Sequence, residues 1–324
     1  MNAASNSETG EHAPVLAEAA VTLLVTDPEG IYVDATFGRG GHSRRILERL
    51  SAGGRLIALD RDPAARDAAR AWTDPRFEFV HCEFSRLGTV LAERSIPRIN
   101  GLLIDLGVSS PQLDDAQRGF SLRADGPLDM RMNPERGPSA AQWLAEVGVE
   151  ELKRVLRDYG DERFAAPIAK AIAARRAHGR PLQRTTDLAA VVAAAIPVKS
   201  RKDPLQHPAT RTFQAIRIFL NQELEEVALI LAASLSVLAP GGRLAVISFH
   251  SLEDRIVKRF IDAQAHPERA FGRLPLREAQ LPRPRLRALA RIAPEAMEVQ
   301  SNPRARSAHL RVAERMDVDL DCRA

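Results

Sequence analysis

Residues 31–42, Ile-Tyr-Val-Asp-Ala-Thr-Phe-Gly-Arg-Gly-Gly-His, read as a strand that runs into a glycine turn and opens a helix. The β-formers Ile31, Tyr32 and Val33 lead to Gly38, Gly40 and Gly41, and the following segment carries Ile46, Leu47 and Leu50 at helical spacing. Glycine is needed where φ is positive or where the backbone itself meets a ligand. The next apolar strand, Leu56 to Leu59, ends in Asp60, twenty residues past Gly40. An acid at that place can accept hydrogen bonds from ribose hydroxyls. The stretch predicts the first β-α-β unit of a nucleotide-binding α/β fold.

Two ligands suit such a unit. A dinucleotide needs a third glycine to bring a helix N-terminus onto its pyrophosphate, and Ser43 stands there instead. The alternative is an acid-first loop, D/E-x-G-x-G-x-G, in which Asp34 faces a methionine moiety and no phosphate is bound. Asp34 to Gly40 fits that pattern with Thr36 in place of the first glycine. An ordinary tight turn is the competing reading, weakened by Asp60.

The chain has 324 residues, 45% of them hydrophobic, enough for one large domain or two small ones. Its two cysteines, Cys82 and Cys322, lie far apart and suggest neither a disulfide framework nor a metal site, which suits a reducing compartment. No apolar run is long enough to span a membrane and the first eleven residues are polar, so a cytoplasmic protein is expected. Net charge is only +4, with Arg far outnumbering Lys. Between Arg269 and Arg311 ten Arg face three acids, Glu278, Glu295 and Glu298, among several prolines. That stretch is expected to be loosely structured, either a polyanion-binding surface or a solvated loop.

Taken in order, residues 1–11 are expected to be disordered and a short amphipathic helix to end at Leu24. Phe77 to Cys82 and Gly101 to Gly107 are a third and a fourth strand, and strands alternating with helices imply a parallel, doubly wound sheet. The rhythm breaks at Gln112. From there to about Thr212 only turns and helices are legible, the clearest being Val149 to Tyr159 closed by Gly160 and Arg163 to Arg176 closed by Gly179. An all-helical domain over 112–212 thus interrupts a sheet domain made of 12–111 and 213–324. One long helix from Phe213 to Leu238, a fifth strand from Arg243 to Ser248 and two closing strands, Leu286 to Ile292 and Ser307 to Glu314, complete the prediction.

Ligands of open α/β sheets lie beyond the carboxyl ends of the strands. Those ends present Asp34 with Gly38 to His42, then Asp60, then Glu83 and Phe84, then Asp105 to Gln112, then Phe249 to Arg255. Phe84 is either a cover for an adenine or a core aromatic. Asp105-Leu106-Gly107-Val108-Ser109-Ser110-Pro111-Gln112 sits where amino-methylating enzymes carry an acid or amide followed by prolines and an aromatic. There an oxygen accepts an amino N–H and aligns the nitrogen lone pair, and such positioning can supply up to roughly 7–11 kcal/mol. Asp105 lies four residues before Ser109 and no aromatic follows Pro111, so Asp105, Ser109 and Ser110 all stay open as the base-facing group. His250 is a base contact or a structural turn histidine. Lys199, Arg201, Lys202, His207, Arg211 and Arg217 cluster where the chain re-enters the sheet, as a phosphate grip or a solvated face.

The motifs together, H-x-P-V-L at His12, D-A-T-F-G-R-G-G-H-S at Asp34, D-R-D-P at Asp60, D-L-G-V-S-S-P-Q-L-D at Asp105, R-G-F-S at Arg118, G-P-L-D-M-R-M at Gly126, H-P-A-T-R-T-F-Q-A at His207 and S-F-H-S-L-E-D-R at Ser248, closely resemble the RsmH (MraW) family. That family methylates the N4 amino group of a cytidine in 16S ribosomal RNA near the decoding centre. The resemblance implies a class I methyltransferase domain with a seven-stranded sheet and a helical insert. It also implies S-adenosylmethionine as cofactor, held at Gly40, Gly41, His42, Asp60, Phe84, Asp105 and Gln112, and the small ribosomal subunit as partner, with no metal. Outside it stand a non-catalytic assembly factor on the same fold, a DNA amino-methyltransferase and a nicotinamide-dependent oxidoreductase. The oligomeric state is not legible.

Overall fold

The computed structural model describes residues 14–200, 207–272 and 280–318. Its strands are β1 (Ile31–Asp34), β2 (Arg55–Asp60), β3 (Phe77–His81), β4 (Ile99–Asp105), β5 (Leu238–Ser248), β6 (Leu286–Ile292) and β7 (His309–Arg315). They form one seven-stranded sheet in the order β3-β2-β1-β4-β5-β7-β6. The first five run parallel, and β7 is antiparallel to both β5 and β6. The chain winds outward from β1 to β3, then crosses back to lay β4 on the other side of β1. That reversal opens a crevice between the tips of β1 and β4, where ligands of such sheets bind.

The sheet is buried on both faces, which is why its strands read as continuous apolar runs. On one face Val33, Ile57, Leu102, Leu244 and Val246 meet α4 (Leu87–Glu93), α11 (Glu223–Val237) and α12 (Ser251–Ala265). On the other, Tyr32, Leu56, Leu103, Ala245 and Ile247 meet α1 (Ala17–Leu24) and α2 (Gly41–Arg49). The remaining helix of this half before β4 is α3 (Pro63–Ala69), capped by the Asp62 side chain at Ala64 N with Pro63 at its first turn.

Between β4 and β5 lie α5 (Ser110–Asp114), α6 (Ala140–Glu146), α7 (Val149–Gly160), α8 (Ala165–Ala177), α9 (Thr185–Ala195) and α10 (Thr210–Leu220). They enclose a separate core that includes Leu128, Met130, Leu144, Leu156, Ile168, Leu188 and Val192. A last helix, α13 (Ala296–Ser301), links β6 to β7.

Three expectations change. The single helix predicted from Phe213 to Leu238 is two, broken at Asn221 and Gln222, the latter left-handed with φ 51°. Continuous apolar spacing hid the break, whose cause is tertiary. Asn221, only 5% exposed, donates from Nδ2 to Met130 O (2.8 Å) and accepts from Met132 N at Oδ1 (2.7 Å), pinning the loop before α6. Phe213, Ala215 and Ile216 of α10 consequently pack in the helical core, not against the sheet. Gly160 does not close α7. It lies in its last turn, Asp161 takes the left-handed position (φ 47°), and a Cβ on Gly160 would meet Arg211 O at 2.7 Å, so glycine is there to let α7 and α10 cross closely. The basic stretch after Arg269 is not loose where described, since it builds β6, α13 and β7. Residues 1–11, His12, Arg201, Lys202 and Cys322 lie outside the described residues.

Replacing Asn221 by Ala strands the amide of Met132 and the carbonyl of Met130 without their partner. An unsatisfied buried group costs about 1–3 kcal/mol, so Asn221→Ala should lower unfolding free energy by on the order of 2–4 kcal/mol in denaturant titration. An unchanged midpoint would show that the helix break needs no such pin.

Candidate active site

The loop after β1 is shaped by two carboxylates. Asp34, fully buried, accepts Thr36 N at Oδ1 (3.1 Å) and Ser43 Oγ at Oδ2 (2.7 Å), tying the strand end to the first turn of α2. Asp60 at the tip of β2 accepts Gly38 N at Oδ2 (2.7 Å) and Asp62 N at Oδ1 (2.8 Å). Gly38 (φ 57°) and Gly40 (φ 79°) are left-handed, and a Cβ on Gly40 would lie 2.2 Å from the Trp72 ring. A Cβ on Gly41 would press on Pro14 at 3.0 Å. Thr36, the departure from the glycine pattern, accepts Asp105 N at its hydroxyl (2.7 Å) and so stitches β1 to β4 across the crevice.

Asp105 closes that crevice from the β4 side. Its Oδ1 is buried without a hydrogen-bond partner, and its Oδ2 lies 3.6 Å from His42 Nδ1. Burial pushes the carboxyls of Asp34, Asp60 and Asp105 upward, the last two to about 6; Asp34 raises both of those further, with Asp62 adding to the rise at Asp60 and Glu253 to that at Asp105. His42 works against that rise at Asp34 and Asp105.

Gln112 is spoken for at both ends of its amide: Oε1 accepts Ser109 N (2.9 Å) and Nε2 donates to Asp62 Oδ2 (2.7 Å). Ser109 caps α5 and faces Gly38, its Cβ 3.8 Å from where a Cβ on that glycine would stand; Ser110 opens the same helix, half-buried. Phe84 is half-buried against the sheet core with the Arg61 guanidinium 6.0 Å from its ring centre.

His250 turns inward as the cap of α12. Its Nδ1 accepts Glu253 N (3.4 Å) and its Nε2 lies 3.1 Å from Glu253 Oε1, out of hydrogen-bond alignment. Glu253 in turn accepts the amides of Phe249 and His250 at Oε2 (2.8 and 3.2 Å). Burial works against ionisation of Glu253, but His250, Arg217 and the Phe249 amide outweigh it and hold the carboxyl below its ordinary range. Glu223, His250 and Glu253 bring potential metal-ligand atoms within 4.8 Å of one another. Both Glu223 oxygens, however, are taken by Arg217 Nε and Nη2 at 2.8 Å, which makes the cluster a junction of α10, α11 and α12 tied by an α10–α11 ion pair.

That pairing removes Arg217 from the expected phosphate grip: it is half-buried and its charge is met by Glu223. Lys199 is exposed. His207, also exposed, accepts Ala209 N at its Nδ1 (3.1 Å). Arg211 is exposed and donates to Asp161 O (2.9 Å). Arg211 and His250 line one cleft of about 180 Å³ together with Tyr159, Gly160, Asp161, Gln214, Ser251 and Leu252. The cleft thus joins the helical insert to the end of β5 and lies apart from the glycine loop.

Sequence reading missed the residues that dock the two halves. Asp62 receives Gln112 and also Arg118 Nη1 (2.9 Å), while Arg118 Nη2 donates to the carbonyls of Arg131 (3.1 Å) and Met132 (2.9 Å). Arg61 donates to Asn221 O at 2.8 Å. The D-R-D-P motif contains Arg61 and Asp62, but nothing local says what they bind.

The family model of the MraW methylase family matches residues 9–316. A ribosomal RNA small subunit methyltransferase H of Burkholderia pseudomallei is 57% identical over 310 residues, covering 94% of this chain and 98% of that protein. Its counterpart in Methylobacillus flagellatus is 55% identical over 313 residues, 96% and 97%. A solved structure of an rRNA methylase from Streptococcus thermophilus covers 93% of this chain and 94% of its own at 13% identity, with a TM-score of 0.39, a loose likeness.

The raised carboxyls set a pH dependence. A carboxyl held near 6 in the folded chain and near 3.8 when unfolded contributes stability that is complete below about 3.8 and is lost as pH rises through about 6. Asp105→Asn removes the penalty at that position. The ligand-free variant should be more stable than the parent by on the order of 1–3 kcal/mol at pH 7 and equal to it near pH 3.5. Denaturant titrations at the two pH values check this, and a variant no more stable at pH 7 would mean Asp105 is not strained.

Proposed function

Because the chain belongs to the MraW methylase family and is an S-adenosylmethionine-dependent methyltransferase, we propose that it methylates the N4 amino group of a cytidine in 16S ribosomal RNA of the small subunit. The observation that carries the reading is the set of acids at the strand tips, with Asp105 Oδ1 buried and unpartnered among them. Three carboxylates around a crevice suit a cationic ligand and repel a pyrophosphate. Gly38 has open space beside it, since a Cβ there would meet only Ser109 at 3.8 Å. The residues therefore fit S-adenosylmethionine: Asp60 for the ribose hydroxyls, the loop from Gly38 to Gly41 for the methionine end, and Phe84 for the adenine. Bound there, the cofactor supplies a methyl group activated by a sulfonium.

The protein's own part is positioning. The exocyclic amine of cytosine is a poor nucleophile because its lone pair is conjugated to the ring, and an acceptor for its N–H re-aims that pair. Asp105 is the acceptor with an oxygen to spare, and Ser109 and Ser110 follow it at the cap and first residue of α5. The cleft bearing Arg211 would receive the RNA strand, with Lys199 and Arg211, and by sequence Arg201 and Lys202, meeting phosphates. His250, committed to capping α12, shapes that cleft. This work on ribosomal RNA would take place in the cytoplasm.

The primary test is transfer of labelled methyl to small ribosomal subunits that lack the modification, read by nucleoside mass spectrometry; N4-methylated cytidine is expected, and methyl found on another base or on none overturns the assignment. Asp60→Ala should weaken S-adenosylmethionine binding at least about tenfold, since charge-assisted bonds are worth about 1.5–3 kcal/mol each. An unchanged dissociation constant in a folded variant would remove Asp60 from the site. Arg211→Ala should spare cofactor affinity while reducing activity on subunits and lowering the salt slope by about 1; equal loss of both would make Arg211 structural.

A further inference from the structure

His42 occupies the first turn of α2 and is 4% exposed. Its Nε2 lies 3.2 Å from the carbonyl of Val15, in the segment that precedes α1. A carbonyl oxygen only accepts, so Nε2 carries a hydrogen and Nδ1 is left facing Asp105 Oδ2 at 3.6 Å. A bare Nδ1 and a bare carboxylate would repel, so a proton belongs between them. The distance is longer than a good hydrogen bond, and such contacts tighten when a catalytic complex forms. Both ring nitrogens are thereby turned to protein groups, which leaves none for a polar contact with a ligand. The other charged groups that face Asp105 are Asp34 on β1 and Glu253 on α12, both acids that drive a proton onto it, and His42 alone opposes them.

We propose that His42 is a positioning residue for methyl transfer: through Nδ1 it keeps the Asp105 carboxylate charged and oriented, and it shares the proton that the amino nitrogen sheds. The inference rests on the amine-methylating function proposed above. Methyl transfer forms the N–C bond and breaks the C–S bond with its electron pair left on sulfur. One proton then leaves the amino nitrogen for Asp105 Oδ1, and the Asp105–His42 pair passes it to solvent. Thr36, accepting the Asp105 amide, fixes the backbone from which that carboxylate projects.

His42→Gln keeps a donor for the Val15 carbonyl but has no titrating nitrogen. Single-turnover methyl transfer to unmodified small subunits should fall at least about tenfold at pH 6, with the acid limb of the rate profile displaced upward by about one pH unit and the deficit shrinking above about pH 8. S-adenosylmethionine affinity, measured by calorimetry, should stay within about threefold. A rate loss equal at every pH means that His42 is only structural, and a dissociation constant that rises in step with the rate loss means that it is a cofactor ligand; either result overturns the proposal. A second readout needs no activity: in NMR titrations of the ligand-free protein, the Asp105 carboxyl should titrate higher in His42→Gln than in the parent, because His42 opposes its rise. Coincident curves would overturn the pairing. A parent enzyme that methylates no cytidine while the Asp105 titration still responds to His42→Gln would instead remove the substrate reading and leave the pair.

Discussion

Taking a carboxylate out of water is costly unless hydrogen-bond donors or opposite charge replace the water, and the centre of this protein is arranged around three acids, Asp34 fully buried and Asp60 and Asp105 half-buried. Asp34 and Asp60 solve the problem with the chain itself. Their oxygens take the amides of Thr36, Gly38 and Asp62 and the hydroxyl of Ser43, and the glycine loop has the path those bonds require. Gly38 and Gly40 are left-handed because the loop must turn its amides back toward β2. Asp105 is left incomplete, with one oxygen toward His42 and one toward nothing. Strain stored in this way is characteristic of groups tuned for a ligand or a proton.

The four residues from the tip of β2 onward, Asp60 to Pro63, link the glycine loop to the helical insert. Asp60 shapes the glycine loop, Arg61 reaches Asn221 at the break between α10 and α11, Asp62 takes Gln112 and Arg118, and Pro63 opens α3. The Asp62–Arg118 pair is nearly out of solvent, 7% and 15% exposed, so loss of either partner would leave an uncompensated charge worth roughly 3–5 kcal/mol. Glycine loop and insert are therefore joined by a few bonds radiating from one strand tip. Arg217 and Glu223 add a second tie beside the end of β5.

Arginine is abundant, yet local counting overstates how many are free to meet RNA. Within the basic stretch from Arg269 to Arg311, Arg269 pairs with Asp262, Arg287 with Glu314, Arg304 with Asp114 and Arg311 with Asp254. Each of those acids lies outside the window in which the charges were summed. Excess charge along a segment is thus no measure of field at a surface, because pairing partners arrive from other elements. Arg217 is the same lesson inside the proposed grip.

What the sequence by itself determined is whatever repeats locally. Strand runs and helical spacing made the α/β sheet and the order of its elements legible, and the acid-first glycine loop and Asp60 marked the end proposed for the cofactor, since backbone periodicity and turn chemistry are written over a few neighbouring residues. Family motifs added the reaction. The break at Asn221 and the pairings of Asp62 with Arg118, of His42 with Asp105 and of Arg217 with Glu223 were decided only by the tertiary structure. Asn221 meets Met130 across 91 positions, and Arg118 meets Asp62 across 56. A polar side chain carries no mark of its distant partner, so its role as ligand, cap or tie is settled only once folding has removed water from around it and left one group within reach.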